Sequence, residues 1–364
     1  MSEFLKKIKL AFLKMSEKVK TAQVPAPIKN TAAAIAEIWQ KIKIYLKTSP
    51  TFTPPSKEKV FSFVLNWWHW LLGGIFAFLV LYYPTGAVLI NQVDDNPDFA
   101  DKYEKTETPK EISTLYALID REINKHVWTP NLPFFFPSAV LDNMPAFQSG
   151  LMTAVHKIVM AVAEENPDAA ELKNAANLLG YPGTIWYVSD WKPAVSANSQ
   201  YQKALNDLKA YETALSDGEK TFNSSPEALA ALLNAQANIL KECAEKIKRQ
   251  VAKYEKRPLD FRGDNVFYRV KGSAYAVYLS LRDAEEDFDS AFDIKDIRKL
   301  WSDAKDSLKR ALNIRPFVVV NGGPETQFLP NHLLNVGFYI SAAEADLRRI
   351  VYKIHKSEIK NEIP

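Results

Sequence analysis

One cysteine stands in 364 residues, so no disulfide can close within the chain and no thiol pair can bind zinc or run redox chemistry. That thiol, Cys243, lies beside Ile239, Leu240, Ala244 and Ile247 in a helical pattern and reads as a small packed residue. Histidine is nearly as scarce. His69, His126, His156, His332 and His355 never fall three or four positions apart, which excludes a metal-binding pair on one helical face. HExxH, CxxC, GxSxG and GxxxxGK[ST] are all missing, and with them zinc-protease, thiol-redox, serine-hydrolase and P-loop chemistries. No metal, no cofactor and no catalytic residue is expected.

Charge is missing from two places. The first 59 residues hold twelve lysines, four glutamates and no arginine, a net charge of +8. Residues 60–93 hold no charged residue at all. The remaining chain carries 34 basic and 39 acidic side chains, so an overall +3 hides a basic head and a mildly acidic body. An acidic body without a basic stripe interleaved with aromatics excludes nucleic acid as a partner.

The uncharged stretch includes "WWHWLLGGIFAFLVLYYPTGAVLI", residues 67–90. It exceeds the roughly 20 apolar residues that a bilayer-crossing helix requires. Trp67, Trp68 and Trp70 gather at one end and Tyr82 and Tyr83 near the other, the spacing of an aromatic belt at two membrane interfaces. Pro84 is expected to kink the helix or end its regular part near Tyr83. A cleaved signal is excluded, because 59 residues precede the run and no small-residue cleavage site closes a short apolar core. Lysines before the span and Asp94, Asp95, Asp98 and Asp101 after it place the N-terminus in the cytoplasm and the large C-terminal part outside. In a Gram-negative cell this means an inner-membrane anchor over residues 65–90 and a periplasmic domain over 91–364.

Residues 1–48 are expected to form basic amphipathic helices. Phe4, Ile8 and Phe12 share a stripe with lysines beside it, and Ile35, Trp39 and Ile42 repeat the pattern after "VPAP". Such helices suit the anionic inner leaflet, or else pack on a partner or on each other. A Pro- and Ser-containing linker covers residues 49–64.

Beyond residue 100 the apolar spacing is helical almost throughout, so the fold class is all-α. Residues 109–127, 198–220, 226–256, 264–291, 294–313 and 331–356 are the clearest helices. Those of 198–220 and 226–256 are expected to close a long antiparallel hairpin, with Ser225 capping the second and Pro226 at its first position. "RPFVVVNGG", residues 315–323, is the one strand-like run, and one strand makes no sheet.

Three stretches stand out by composition: 128–150, where Asp142, Asn143 and Gln148 lie among aromatics; 257–278, where arginines crowd an aromatic helix start; and 329–349. Should they converge, Arg262, Arg269, His332 and Tyr339 would form a polar pocket for an anionic group. The bland alternatives are N-caps at Asp264 and Asn331 and tyrosines filling a core.

The same stretches carry a resemblance. "WTPNLPFFFPSAVLDNMPAFQSG", "RPLDFRGDNVFYRVKGSAYA" and "LPNHLLNVGFYI" resemble a family of proteobacterial inner-membrane proteins with one N-terminal span, known only as a domain of unknown function. The similarity covers residues 65–355 and leaves out the basic head. It implies a single-pass anchor and a helical exported domain, and brings no catalytic residue with it. The expected function is a non-enzymatic, membrane-tethered envelope protein. Its partners would be the lipid bilayer and other inner-membrane or envelope proteins, in the role of an accessory subunit. The alternative is a binding or hydrolytic domain for a lipid or cell-wall component, which would need the pocket.

Overall fold

A computed structural model of the protein describes Gln40 and residues 56–90, 93–99, 109–133, 135–137, 142–189, 192–254, 261–321 and 330–362. The chain divides into two compact units, Met1–Phe76 and Ala77–Pro364. The amphipathic stripes of the basic head (Phe4, Ile8, Phe12, Ile35, Trp39 and Ile42) lie outside the described residues.

The fold is all-α. Helix α1, Lys57–Ile90, runs through both the expected span and the second half of the expected linker. It also continues past Pro84, which neither ends it nor confines its regular part to Tyr83. One missing N–H costs one hydrogen bond, and a helix of 34 residues absorbs that loss. Between residues 67 and 88 most of its described apolar side chains are exposed, among them Trp70, Phe76 and Leu81.

The body follows. It contains α2 (Lys110–Asp120), which runs on into a π-helical turn at Arg121–Lys125, then α3 (Asn143–Glu165) and α4 (Ala170–Leu179). A two-stranded antiparallel hairpin, β1 (Val188–Ser189) and β2 (Lys192–Pro193), comes next. Five more α-helices follow among the described residues: α5 (Ala197–Ser216), α6 (Pro226–Tyr254), α7 (Phe261–Asp287), α8 (Ile297–Leu312) and α9 (His332–Glu362), with a 3-10 turn at Asp289–Asp293 between α7 and α8. Helices 109–127, 264–291, 294–313 and 331–356 of the sequence reading correspond to α2 with its π turn, α7, α8 and α9. Among the described residues of the strand-like run, 315–321, Asn321 forms a single bridge to Asn331.

Local chemistry explains the helix ends. Ser225 Oγ accepts from Ala228 N at 3.2 Å, with Pro226 in the position that needs no N–H partner. Ser196 caps α5 in the same way. Pro109 offers no side-chain cap to α2. Instead, both carboxylate oxygens of Asp287, from the end of α7, accept the Lys110 and Glu111 N–H groups at 2.8 Å each. A cap that arrives from 177 residues away ties two helices together as it satisfies one of them.

The expected hairpin of 198–256 is a correction. Both helices form, but they do not pair along their length: α5 packs on α4 and α2, while α6 runs along α9. The connection at 217–225 turns the chain away. Asn223 donates its backbone N–H to Asn166 Oδ1 (2.9 Å) and its side-chain amide to Glu165 O (3.2 Å), pinning the loop to the end of α3. The apolar face of α6 (Leu229, Leu233, Leu240, Ile247) is thus buried against other elements, and Cys243 is buried with it.

At the centre α3 crosses α7. By length and composition α3 could span a membrane, but 72% of its most apolar window is buried inside the body, so it is a core helix. The crossing is made by small residues. A Cβ on Gly150 would lie 1.9 Å from Arg269 O, and one on Gly272 2.0 Å from Phe147 O. Ser273 Oγ donates to Gly150 O at 2.8 Å across the same contact.

Candidate functional site

The segment that follows α1 is fastened to the body by charge. Asp94 Oδ2 lies 3.4 Å from Arg121 Nη1. Asp95, itself buried, pairs with Lys271 Nζ and with Arg315 Nη2, each at 2.7 Å. The Asn96 carbonyl accepts from Tyr275 Oη (2.7 Å) and the Pro97 carbonyl from Arg282 Nη1 (2.8 Å). Phe99 lies under the Arg121 guanidinium, 4.4 Å from ring centroid to charge. Residues 94–99 therefore carry six polar or cation–π contacts to the π turn, to α7 or to the chain after α8. Asp94 and Asp95, read from sequence as topology markers, are the teeth of a clasp.

Beneath the clasp, the π turn places two buried charged residues side by side. Arg121 Nε donates to Glu122 Oε1 (2.7 Å) and Nη1 to Tyr275 Oη (3.1 Å). Glu122 Oε2 accepts from Gln148 Nε2 at 2.9 Å, while Gln148 Oε1 accepts from Thr129 N and Oγ1 at 2.9 and 2.7 Å. Widening a helix by one residue per turn shifts side-chain directions, which brings adjacent residues 121 and 122 into this shared network. Its role is to hold α2, α3, α7 and the chain around Thr129 together.

A second buried carboxyl has the opposite setting. Glu111 accepts from Ser280 Oγ, which is held in turn by Gln236 Nε2 at 2.8 Å. Burial drives the Glu111 pKa well above the ordinary range; the Ser280 hydrogen bond opposes the rise, and the nearby Asp287 and Asp283 add to it. Burial also pushes Glu122 upward, but the His126 hydrogen bond and the Arg121 charge outweigh it and hold that carboxyl below the ordinary range.

The linkage signs are therefore opposite. Glu111 binds its proton more tightly when folded, so its contribution is present below the ordinary glutamate range and is lost as pH rises through the raised folded value. Glu122 contributes above that range and loses its contribution as pH falls. Glu111→Gln is expected to be more stable than the natural chain at about pH 8, where the natural side chain resists ionising. Glu122→Gln should cost about 2 kcal/mol near neutrality, because buried Arg121 loses a charged partner. Urea unfolding across this pH range reads both, and identical pH profiles for the two variants would contradict the assignment.

A cavity of about 300 Å³ opens between α3, the end of α4 and α7, lined by Trp128, Met152, His156, Leu179, Tyr201 and Arg269 among others. Trp128 and Tyr201 meet edge to face at 5.2 Å. Trp128 Nε1 donates to Gly183 O (2.9 Å), and His156 Nδ1 is 2.9 Å from Ala176 O. Gly180 and Gly183 form part of the wall; a Cβ at 183 would stand 3.0 Å from Tyr201 Oη.

Next along the chain lies an exposed aromatic face. Trp186 meets both Phe135 (6.5 Å) and Tyr187 (5.3 Å) edge to face, and Phe135 adjoins Phe136 at 5.2 Å. Phe135, Trp186, Tyr187, Val188 and Val195 are all exposed.

No family model matches this chain, nor does any curated protein or solved structure.

Of the four residues expected to share a polar pocket, the cavity is lined by Arg269. Arg262 is exposed and donates to Tyr254 Oη at 2.8 Å, which holds that phenol below its ordinary range. His332 Nδ1 accepts from Val320 N at 3.0 Å, and burial pushes its imidazole below the ordinary range. Tyr339 packs half-buried on the core with its ring against Phe338, 5.3 Å between centroids. Each of the three is thus occupied locally. Trp67, Trp68, Trp70 and Tyr82 are exposed on α1, and Tyr83 is half-buried. Arg121, Glu122 and Glu111 carry no signal of their own in the sequence, because charged residues in an amphipathic helix look solvent-facing until their neighbours are known; Lys271 stands out only with the charged residues that crowd the start of the aromatic helix of 257–278. Among the described residues no group of three His, Cys, Asp or Glu could hold a metal.

Proposed function

We propose that the protein is a membrane-anchored, non-enzymatic envelope component whose helical body binds other membrane or envelope proteins, as an accessory subunit of a larger inner-membrane assembly. The observation that carries this reading is the aromatic face of Phe135, Trp186, Tyr187 and Val188, exposed beside a short hairpin. Tyr and Trp presented together on rigid backbone are the residues on which protein contacts concentrate their energy.

Two further features support it. Exposed apolar side chains along α1, with Trp70 at 69%, Phe76 at 70% and Leu81 at 68% exposure, suit lipid and are costly in water. With the flanking charges, α1 crosses the inner membrane with the lysine-rich N-terminus in the cytoplasm and the body in the periplasm. This is also the arrangement of the proteobacterial family that the three stretches resemble.

Crosslinking in native membranes, solubilisation in gentle detergent and mass spectrometry test the reading. A defined envelope protein should co-purify with the full chain. It should be lost from a Trp186→Ala, Tyr187→Ala variant whose thermal unfolding is unchanged. A strictly monomeric protein with no co-purifying species would count against it. A reporter fused after Pro364 should be active in the periplasm, and activity confined to the cytosol would reverse the orientation.

A further inference from the structure

The chemistry of the cavity beside Trp128 points to a small ligand. We infer that it is a binding site for a small monocarboxylate with an apolar, preferably aromatic, body. The volume of about 300 Å³ lies at the small end of ligand pockets, too little for a nucleotide or a sugar chain. Trp128, Met152, Leu179, Pro182 and Tyr201 supply apolar and aromatic walls.

Arg269 is the cation on the lining. It is exposed, and no carboxylate among the described residues pairs with it, whereas Arg121, Arg282, Arg315, Arg348 and Arg349 all have acidic partners. A guanidinium left unpaired beside an aromatic wall matches a carboxylate in geometry and in charge. One cation balances one negative charge. A phosphate dianion would leave half its charge uncompensated against apolar walls, which disfavours it.

The backbone keeps the space open. Ser273 and the glycine crossing hold α3 against α7 just where Arg269 projects from α7. The loop of Gly180 and Gly183 presents bare Cα positions to the opposite wall. A Cβ at Gly180 would come within 3.0 Å of His156 Cε1, so larger residues there would consume the cavity. Tyr201 Oη is committed to Tyr181 O at 3.0 Å and Tyr181 Oη to Val195 O at 2.8 Å. The wall is therefore fixed, which reduces the ordering that binding must impose.

The test is calorimetric titration of the full-length protein in phosphatidylcholine nanodiscs, with empty discs subtracted. The probes are 3-phenylpropionate, 3-phenylpropanol, propionate and inorganic phosphate. Saturable binding of 3-phenylpropionate is expected, with the alcohol and propionate each at least tenfold weaker and phosphate not competing. Arg269→Gln should weaken 3-phenylpropionate about tenfold, a loss of about 1.4 kcal/mol, without changing the melting temperature. Thr153→Trp, at an exposed position on the rim, should abolish binding by filling the mouth. Equal binding of acid and alcohol, an unaffected Arg269→Gln, or no saturable heat would overturn the inference. None of these results bears on partner capture by the aromatic face.

Discussion

Gly272→Ala is expected to destabilise the body by about 3 kcal/mol, and Gly272→Val to prevent its native fold. A Cβ at 272 would stand 2.0 Å from Phe147 O and 2.9 Å from Leu151 N. Both are backbone atoms of the facing helix, so no rotamer change can relieve the clash. Helices α3 and α7 must separate, and the side chains around the crossing lose contacts that fall off steeply with distance. The Ser273 to Gly150 hydrogen bond at 2.8 Å goes with them, worth about 1 kcal/mol. Alanine's better helix propensity returns at most about 1 kcal/mol, which is too little to compensate.

Gly150→Ala attacks the same contact from the other side, since its Cβ would meet Arg269 O at 1.9 Å. The double variant should therefore cost less than the two singles together: once the helices have parted, the second methyl meets less. Gly73→Ala, where a Cβ meets nothing within 4 Å, is the control. Denaturant midpoints followed by circular dichroism decide the matter, and a Gly272→Ala midpoint equal to the control's would show that the helices do not meet backbone to backbone.

The second large effect concerns the clasp. Asp95→Asn should cost about 3–5 kcal/mol, because Lys271 is only 4% exposed and Asp95 is its carboxylate partner. In the natural chain burial already depresses the Lys271 pKa, with Asp95 pulling it back and Arg315 adding to the fall. Removing Asp95 leaves both downward influences unopposed.

A lysine depressed in the folded state binds fewer protons there than when unfolded, so the variant's stability should rise with pH as Lys271 neutralises. The natural chain should show this rise more weakly. Pairing Asp95→Leu with Lys271→Met removes both charges and should recover most of the loss, as buried ion pairs commonly allow. Urea unfolding of the natural chain and the two variants across pH is the measurement. A double variant as unstable as Asp95→Asn would place the cost in packing and not in charge.

The helices were legible because their signal is local. Leu229, Leu233, Leu240 and Ile247 repeat at helical spacing whatever they touch, and Ser225-Pro226 marks a helix start by its own chemistry. The pairing of helices was not legible. Whether α5 and α6 close on each other depends on Asn223 reaching Asn166, a contact of two polar residues 57 positions apart that no periodicity reveals. The same holds at the candidate site. Trp128 and Arg269 drew notice by composition, and the cavity brings them together; His332 and Tyr339 drew equal notice and serve packing. Asp94 and Asp95 had a sufficient explanation in topology, which concealed their pairing with Arg121 and Lys271. Gly150 and Gly272 carried no signal either, because a helical glycine reads as a weakness until the opposing backbone is seen.

Cys243 has a practical corollary. Burial lifts its thiol to about 11, so at neutral pH almost no thiolate exists to meet an alkylating reagent, and the surrounding helix keeps the reagent out. A cysteine placed at an exposed position such as Tyr352 (65% exposed) would become the sole reactive point on an otherwise unaltered chain. Spin labels, dyes and photoactivatable probes could then be attached one at a time, without first engineering away a native thiol.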